Sequence, residues 1–312
     1  MIKNKLYKKY CDMSFKDCLP FSMNIVNLSC NLNCKYCFLK YVNKSSNLSK
    51  LSIKEYNVLF NQLIESGVVQ IQFTGGEPLL IDNFFDIVKS ARSKGFRLTL
   101  ATNATLLAQQ DIPFIVEMFD EIQISLDSLN EEECDYLWGV KGHYKHVLNI
   151  IDILSTKNIE LKVNTVVTKY NVVGAADLHN FIASKYEIHH GLAFSLLPFI
   201  NKPNKIKEFQ INEQEFDLFQ TYVSSKLEKK RLYSRENKWI CGMTKNTLTM
   251  DEYGFFYPCL VGVAKLECNI KNCSFNEIFY GDEVENIRSK IKSVEYVQGC
   301  PMYNYITRGE LF

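Results

Sequence analysis

The chain carries no excess charge of either sign. Thirty-six Lys and Arg stand against 35 Asp and Glu, a formal net charge of +1 over 312 residues. No basic run is longer than a few residues, and Lys229, Lys230 and Arg231 read as a helix end. The concentrated positive field that a phosphate backbone demands is missing, so nucleic acid is excluded as the main partner. No apolar run approaches the ~20 residues that span a bilayer, so no membrane partner is expected. Residues 1–10 hold four lysines and no apolar segment of a secretory signal, so the expected location is cytoplasmic. Internal repeats and low-complexity segments are lacking too. Cysteine is not scarce: there are eleven, bunched at the two ends of the chain with Cys134 alone between. In a cytoplasmic protein they read as metal ligands or free thiols rather than disulfides.

Three of them fall within eight residues, Cys30-Asn31-Leu32-Asn33-Cys34-Lys35-Tyr36-Cys37. Thiolates are soft ligands that suit iron–sulfur clusters and zinc. A structural zinc site takes four ligands in paired spacing, and no fourth cysteine or histidine lies close by. The triplet therefore points to a four-iron cluster with three thiolates and one open iron. A zinc knuckle, or unrelated buried thiols, is the alternative.

The hydrophobic pattern around the triplet alternates strand and helix. Strands are expected at 23–28, 68–73, 96–101, 121–126, 159–167 and 192–197. Helices are expected at 82–94, 112–118, 144–155, 175–184 and 213–229, and one more after the capping-box spacing of Ser52 and Glu55. Six such units imply a parallel sheet with right-handed crossovers, an α/β partial (β/α)6 barrel. Ligands of such folds bind at the carboxyl ends of the strands. Those ends carry Thr74-Gly75-Gly76-Glu77-Pro78, Thr102-Asn103 and Ser125-Leu126-Asp127. The pattern changes near residue 231. Residues 232–312 hold five cysteines, six glycines and only short segments, a small module that a metal cluster would stabilise. The division is a lead-in at 1–22, a core at 23–230 and an auxiliary module at 231–312.

CxxxCxxC with an aromatic before the last cysteine, followed by Gly75-Gly76-Glu77-Pro78, resembles the radical S-adenosylmethionine (SAM) superfamily. The resemblance implies a [4Fe–4S] cluster on Cys30, Cys34 and Cys37, with SAM on its open iron and one-electron cleavage to a 5′-deoxyadenosyl radical. It implies SAM contacts from Tyr36, from Gly75, Gly76, Glu77 and Pro78, and from Asn103. Ser125 and Asp127 resemble ribose contacts, and Asn164 and Leu197 resemble positions lining the site. The arginine that many relatives use for the SAM carboxylate is absent from Leu137-Trp138-Gly139-Val140-Lys141-Gly142-His143, where Lys141 is the substitute at hand. Cys241, Gly254 and Cys259 resemble the opening of SPASM and twitch domains, and Cys300 their closing cysteine. That implies one auxiliary iron–sulfur cluster, taken as [4Fe–4S], with Cys268, Cys273 or nothing as the fourth ligand. A structural zinc at these cysteines is the rival reading. Cys268, Cys273 and Cys134 are also candidate hydrogen-atom donors to a substrate radical. The implied reaction is hydrogen abstraction from a ribosomally made peptide, giving a crosslink or an epimer. The electron would come from an external donor such as flavodoxin or ferredoxin. The alternatives are a small-molecule dehydrogenase or epimerase, for instance on an aminosugar, and a non-catalytic metal-cluster protein.

Overall fold

The computed structural model describes residues 18–41, 48–186, 188–194, 208–209, 211–212, 214–215, 244–259 and 265–292. In chain order the strands and helices begin with β1 (Ser22–Asn27), α1 (Ile53–Glu65), β2 (Gln70–Gly75), α2 (Phe84–Ser93) and β3 (Arg97–Thr102). Next come α3 (Ile112–Met118), β4 (Glu121–Ser125), α4 (Glu131–Trp138), α5 (Tyr144–Ser155), β5 (Glu160–Val167), α6 (Val172–Tyr186) and β6 (His189–Phe194). The C-terminal part adds β7 (Thr247–Asp251), β8 (Phe256–Tyr257), α7 (Phe275–Phe279) and α8 (Asp282–Lys292). Two compact units emerge, one from described residues within 1–29, 42–100 and 239–312, the other from those within 30–41 and 101–238.

In the first unit β1 lies between β2 and β7, parallel to both. Met23 pairs with Ile71 and Ile25 with Phe73, and all four are fully buried. Each such side chain contributes roughly 1.5–3 kcal/mol by leaving water. β2 continues in parallel to β3, from Gln70 opposite Arg97 to Phe73 opposite Leu100. Helix α1 starts as its sequence dictates: Ser52 accepts from the Glu55 amide while the Glu55 carboxylate accepts from the Ser52 amide at 2.7 Å. It buries Tyr56, Leu59, Phe60 and Leu63, a single helical stripe.

Strand β7 was not legible in the sequence. It belongs to the C-terminal part yet pairs with β1 from Ser22 opposite Thr247 to Val26 opposite Asp251. Parallel pairing of segments more than 220 residues apart leaves no mark in local periodicity. β8 then folds back antiparallel on β7 around Gly254, whose φ of +90° suits glycine. A Cβ there would meet Ile270 Cγ2 at 2.8 Å and Asn269 Oδ1 at 2.9 Å.

In the second unit β4, β5 and β6 run parallel, with Ile124 opposite Val163 and Asn164 opposite Gly191. Helix α4 falls in a stretch where no helix was expected. Asn130 caps it by accepting from the amides of Glu132 (2.8 Å) and Glu133 (3.1 Å), and its first turn is acidic, which complements the helix dipole. Its buried face is Cys134, Leu137 and Trp138. β6 starts three residues before the expected strand; positions 195–197, and nearly all of the helix expected at 213–229, lie outside the described residues. No helix among the described residues is long and apolar enough to cross a membrane.

Candidate active site

The cysteine loop follows β1 and belongs to the second unit, where the end of α4 holds it. The Asn33 amide donates to the Trp138 carbonyl at 2.9 Å and the Lys35 amide to the Leu137 carbonyl at 2.8 Å. Gly139 ends α4 with φ +66°, and a Cβ there would lie 2.4 Å from the Asn33 carbonyl oxygen. Only a glycine lets the helix end come this close to the loop. The segment where the sequence offered a substitute for the missing arginine is thus a clamp on the cysteine loop, and Lys141 in it is exposed.

Asp127, expected as a ribose contact, is surrounded by protein donors in the fold. It is 0% exposed, and its carboxylate accepts from the Tyr36 hydroxyl, from Trp138 Nε1 at 2.9 Å and from the Val166 amide at 2.9 Å. Its carbonyl accepts from Asn171 Nδ2 at 2.8 Å. Three protein donors occupy the carboxylate, so its visible work is to fix Tyr36 between Cys34 and Cys37. Burial holds Asp127 above the usual carboxylate range although its three donors pull the other way. Burial likewise raises the Tyr36 hydroxyl, with the Asp127 charge second.

The other end of the loop is held by amides and hydroxyls. Asn103, beyond β3, donates to Asn31 Oδ1 at 3.1 Å and reaches Cys30 Sγ at 3.7 Å. Asn31 Nδ2 donates to Thr105 Oγ1 at 2.7 Å, and the Thr105 amide and hydroxyl both donate to Asn103 Oδ1. Ser125 and Asn164 face each other across the β4–β5 ladder. Leu197 lies outside the described residues. Sequence reasoning missed Trp138, Asn171, Asn31 and Thr105; only Trp138 carried a signal, as one of two tryptophans and next to Gly139.

Gly75 to Pro78 lie in the first unit. Gly75 has φ +112°, and a Cβ would meet the Asn27 carbonyl oxygen and Val26 Cγ1 at 2.5 Å. The Gly76 amide donates to the Asn27 carbonyl at 2.6 Å, and the Glu77 amide to the Ser29 carbonyl at 2.9 Å. Asn27 Nδ2 donates to the Glu77 carbonyl at 2.7 Å. Glu77 is fully buried, its carboxylate accepting from the Leu79 amide at 3.2 Å, and Pro78 opens a short 3-10 turn. The motif is thereby locked to the end of β1, one residue before Cys30.

The C-terminal hairpin serves the same stretch. Glu252 is 2% exposed and its Oε2 accepts from the Leu28 amide at 3.0 Å. Asp251 accepts from the amides of Tyr253 and Phe255 and from the Tyr257 hydroxyl. Burial raises both carboxyls above their ordinary values. Of the C-terminal cysteines, Cys241 and Cys300 lie outside the described residues. Cys259 is half-buried, and Cys268 and Cys273 stand sulfur to sulfur at 2.8 Å. Cys134 is fully buried in α4 and its thiol donates to the Ser128 carbonyl at 3.4 Å. Burial pushes that thiol up to about 12.

Residues 24–181 match the family model described as the radical SAM superfamily. The chain belongs to this family. It is 29% identical over 236 residues to an S-adenosylmethionine-dependent nucleotide dehydratase of Flammeovirga pacifica, covering 73% of this chain and 78% of that one. It is 24% identical over 257 residues to the subtilosin biosynthesis protein AlbA of Bacillus subtilis, covering 80% of this chain and 57% of AlbA. Streptococcus suis SuiB bound to SAM superposes with a TM-score of 0.71 at 17% identity, covering 96% of this chain and 77% of SuiB. The radical SAM protein is therefore an enzyme with the expected α/β radical SAM fold, and the non-catalytic reading is set aside.

The family implies SAM and a [4Fe–4S] cluster, and the thiols fit the cluster. Among the described residues no three His, Cys, Asp or Glu side chains converge where one metal ion could hold them, Cys30, Cys34 and Cys37 included. Three thiols in CxxxCxxC spacing suit a cluster, which offers each thiolate its own iron. Without metal the Cys34 thiol is driven well above its ordinary range, by burial first, then by Asp127, Cys37 and Cys30. A cationic iron centre would favour the thiolate form at such a buried position.

Proposed function

We propose that this radical SAM enzyme abstracts hydrogen from a ribosomally made peptide, forming a crosslink or an epimer. The observation that carries the reading is the likeness to AlbA, which runs well beyond the family core and takes in 80% of this chain. The SuiB structure, also solved with its precursor peptide SuiA, supports a shared fold at a TM-score of 0.68. A second reading, a small phosphorylated substrate, draws support from the nucleotide dehydratase, of which the chain spans 78%.

In this proposal Cys30, Cys34 and Cys37 hold the cluster, and Gly75 to Pro78, Asn103, Ser125 and Asn164 bind SAM with Tyr36 and Leu197. When bound, the cluster and SAM supply a 5′-deoxyadenosyl radical after one-electron reduction by a flavodoxin- or ferredoxin-type donor. The chain's own part is positional. Asp127 and Trp138 fix Tyr36 between two of the thiols, and Asn103 brings an amide hydrogen to Cys30. Amide donors to sulfur tune a cluster's potential. Glu252 and Asn27 fasten the strand end that leads into the loop, which holds reacting groups in register. An auxiliary cluster on Cys241, Cys259 and Cys300 belongs to the same proposal.

The test is deuterium transfer. Anaerobic enzyme with SAM, dithionite and deuterated peptides encoded beside its gene is expected to yield deuterated 5′-deoxyadenosine. Label arriving from nucleoside triphosphates and from none of the peptides would replace the peptide reading with the second one.

A further inference from the structure

Cys268 and Cys273 have no task in the mechanism above. Their sulfurs are 2.8 Å apart. Two thiolates on one tetrahedral zinc sit about 3.8 Å apart, given Zn–S bonds of about 2.3 Å. Thiolates on a cubane diverge, because each leaves a different iron corner. The covalent S–S bond is about 2.0 Å; at 2.8 Å Cys273 Sγ donates to Cys268 Sγ, two free thiols already in contact.

The loop between them fixes this approach. Asn269 is its hub: its carbonyl accepts from the amides of Asn272 and Cys273, both at 2.9 Å. Asn269 Oδ1 accepts from the Lys271 amide at 2.9 Å and Nδ2 donates to the Tyr253 carbonyl at 3.1 Å. The Ile270 amide donates to the Gly254 carbonyl at 2.9 Å, and Lys271 Nζ to the Ser49 carbonyl at 2.9 Å. Ser274 then caps α7. Both sulfurs are partly exposed, open to a small reagent.

We propose that Cys268 and Cys273 are a reversible disulfide site, exchanging with a low-molecular-weight disulfide of the glutathione type. Two S–H bonds break and one S–S bond forms. The two electrons and two protons go to the reagent's disulfide, which leaves as two thiols. The loop closed is short, so little chain entropy is removed and the bond stays open to reduction.

The experiment uses the full chain, purified and reconstituted with iron and sulfide without oxygen, in buffers from reduced to oxidised glutathione. After alkylation, trypsin cuts at Lys271, between the two cysteines. In oxidising buffer the two tryptic peptides are expected to stay joined and unalkylated, and to separate after dithiothreitol. The same transition is expected in protein not reconstituted with iron. Cys268→Ser is expected to leave Cys273 as a mixed disulfide with glutathione. The proposal is overturned if both thiols alkylate at every ratio. It is overturned equally if both stay protected until iron is chelated, which would make them cluster ligands.

Discussion

Two cysteine loops, one at each end of the chain, use the same side chain in opposite ways. In the first, Cys30, Cys34 and Cys37 sit in a loop pinned from outside it by the Trp138 and Leu137 carbonyls, by Asp127 through Tyr36 and by Asn103. In the second, Cys268 and Cys273 are pressed together by a loop whose bonds come mostly from its own backbone and Asn269. A loop pinned by a surrounding scaffold suits a bound guest. Sulfurs held together by a short turn suit each other. Residue type does not distinguish the loops; the geometry imposed from outside does.

The sharpest way to break this contrast is to remove sulfur from each loop. Replacing Cys30, Cys34 or Cys37 by alanine is expected to lower iron content and to cut 5′-deoxyadenosine formation to background. The double change Cys268→Ser with Cys273→Ser is expected to leave 5′-deoxyadenosine formation from SAM near that of the parent. Equal loss in both would erase the distinction.

Removing the support comes next. Asp127→Ala strands three buried donors at about 1–3 kcal/mol each at most, and a loss of roughly 10–100-fold in cluster retention or activity is expected. Tyr36→Phe, which removes one donor and leaves the ring, is expected to cost less, about 1 kcal/mol by thermal denaturation. A pair of glycines refines the comparison. Gly139→Ala forces a left-handed φ and a contact of 2.4 Å with Asn33, so about 1–3 kcal/mol and weakened iron retention are expected. Gly254→Ala carries a similar strain at the second loop, and is expected to alter Cys268–Cys273 crosslinking while iron on the first loop is retained.

The smallest effect concerns pH. Burial raises Asp251 and Glu252 above their unfolded values, so the folded state holds protons that the unfolded state has released. Their contribution is fully present below the ordinary carboxylate range and is lost as pH rises through the raised folded values. Chemical denaturation across mildly acidic to neutral pH should show that decline, and Glu252→Gln should flatten it. A rise in stability across the same window in the parent would contradict this sign.

Strand and helix order was legible because burial imprints a period on neighbouring residues. The stripe of α1 and the alternation of β5 are local facts. Helix α4 escaped notice because it is eight residues long with three glutamates in its first turn, and its burial reads only once Trp138 has a destination. Asp127 was legible from its position in a motif, which does not say which protein groups surround its carboxylate. In the fold, Tyr36, Trp138 and Val166 stand there.

The sequence by itself determined the cysteine triplet, the glycine-rich strand end and the alternating α/β architecture, because spacing along a chain controls what a single loop, strand or helix can do. Only the tertiary structure decided that β7 lies beside β1, that Asp127 accepts from Tyr36, and that one cysteine loop is pinned by distant segments while the other brings its two sulfurs into contact. Those outcomes depend on hydrogen bonds and close packing between segments far apart in sequence. Such contacts are selected jointly when the chain folds and are written in no one segment.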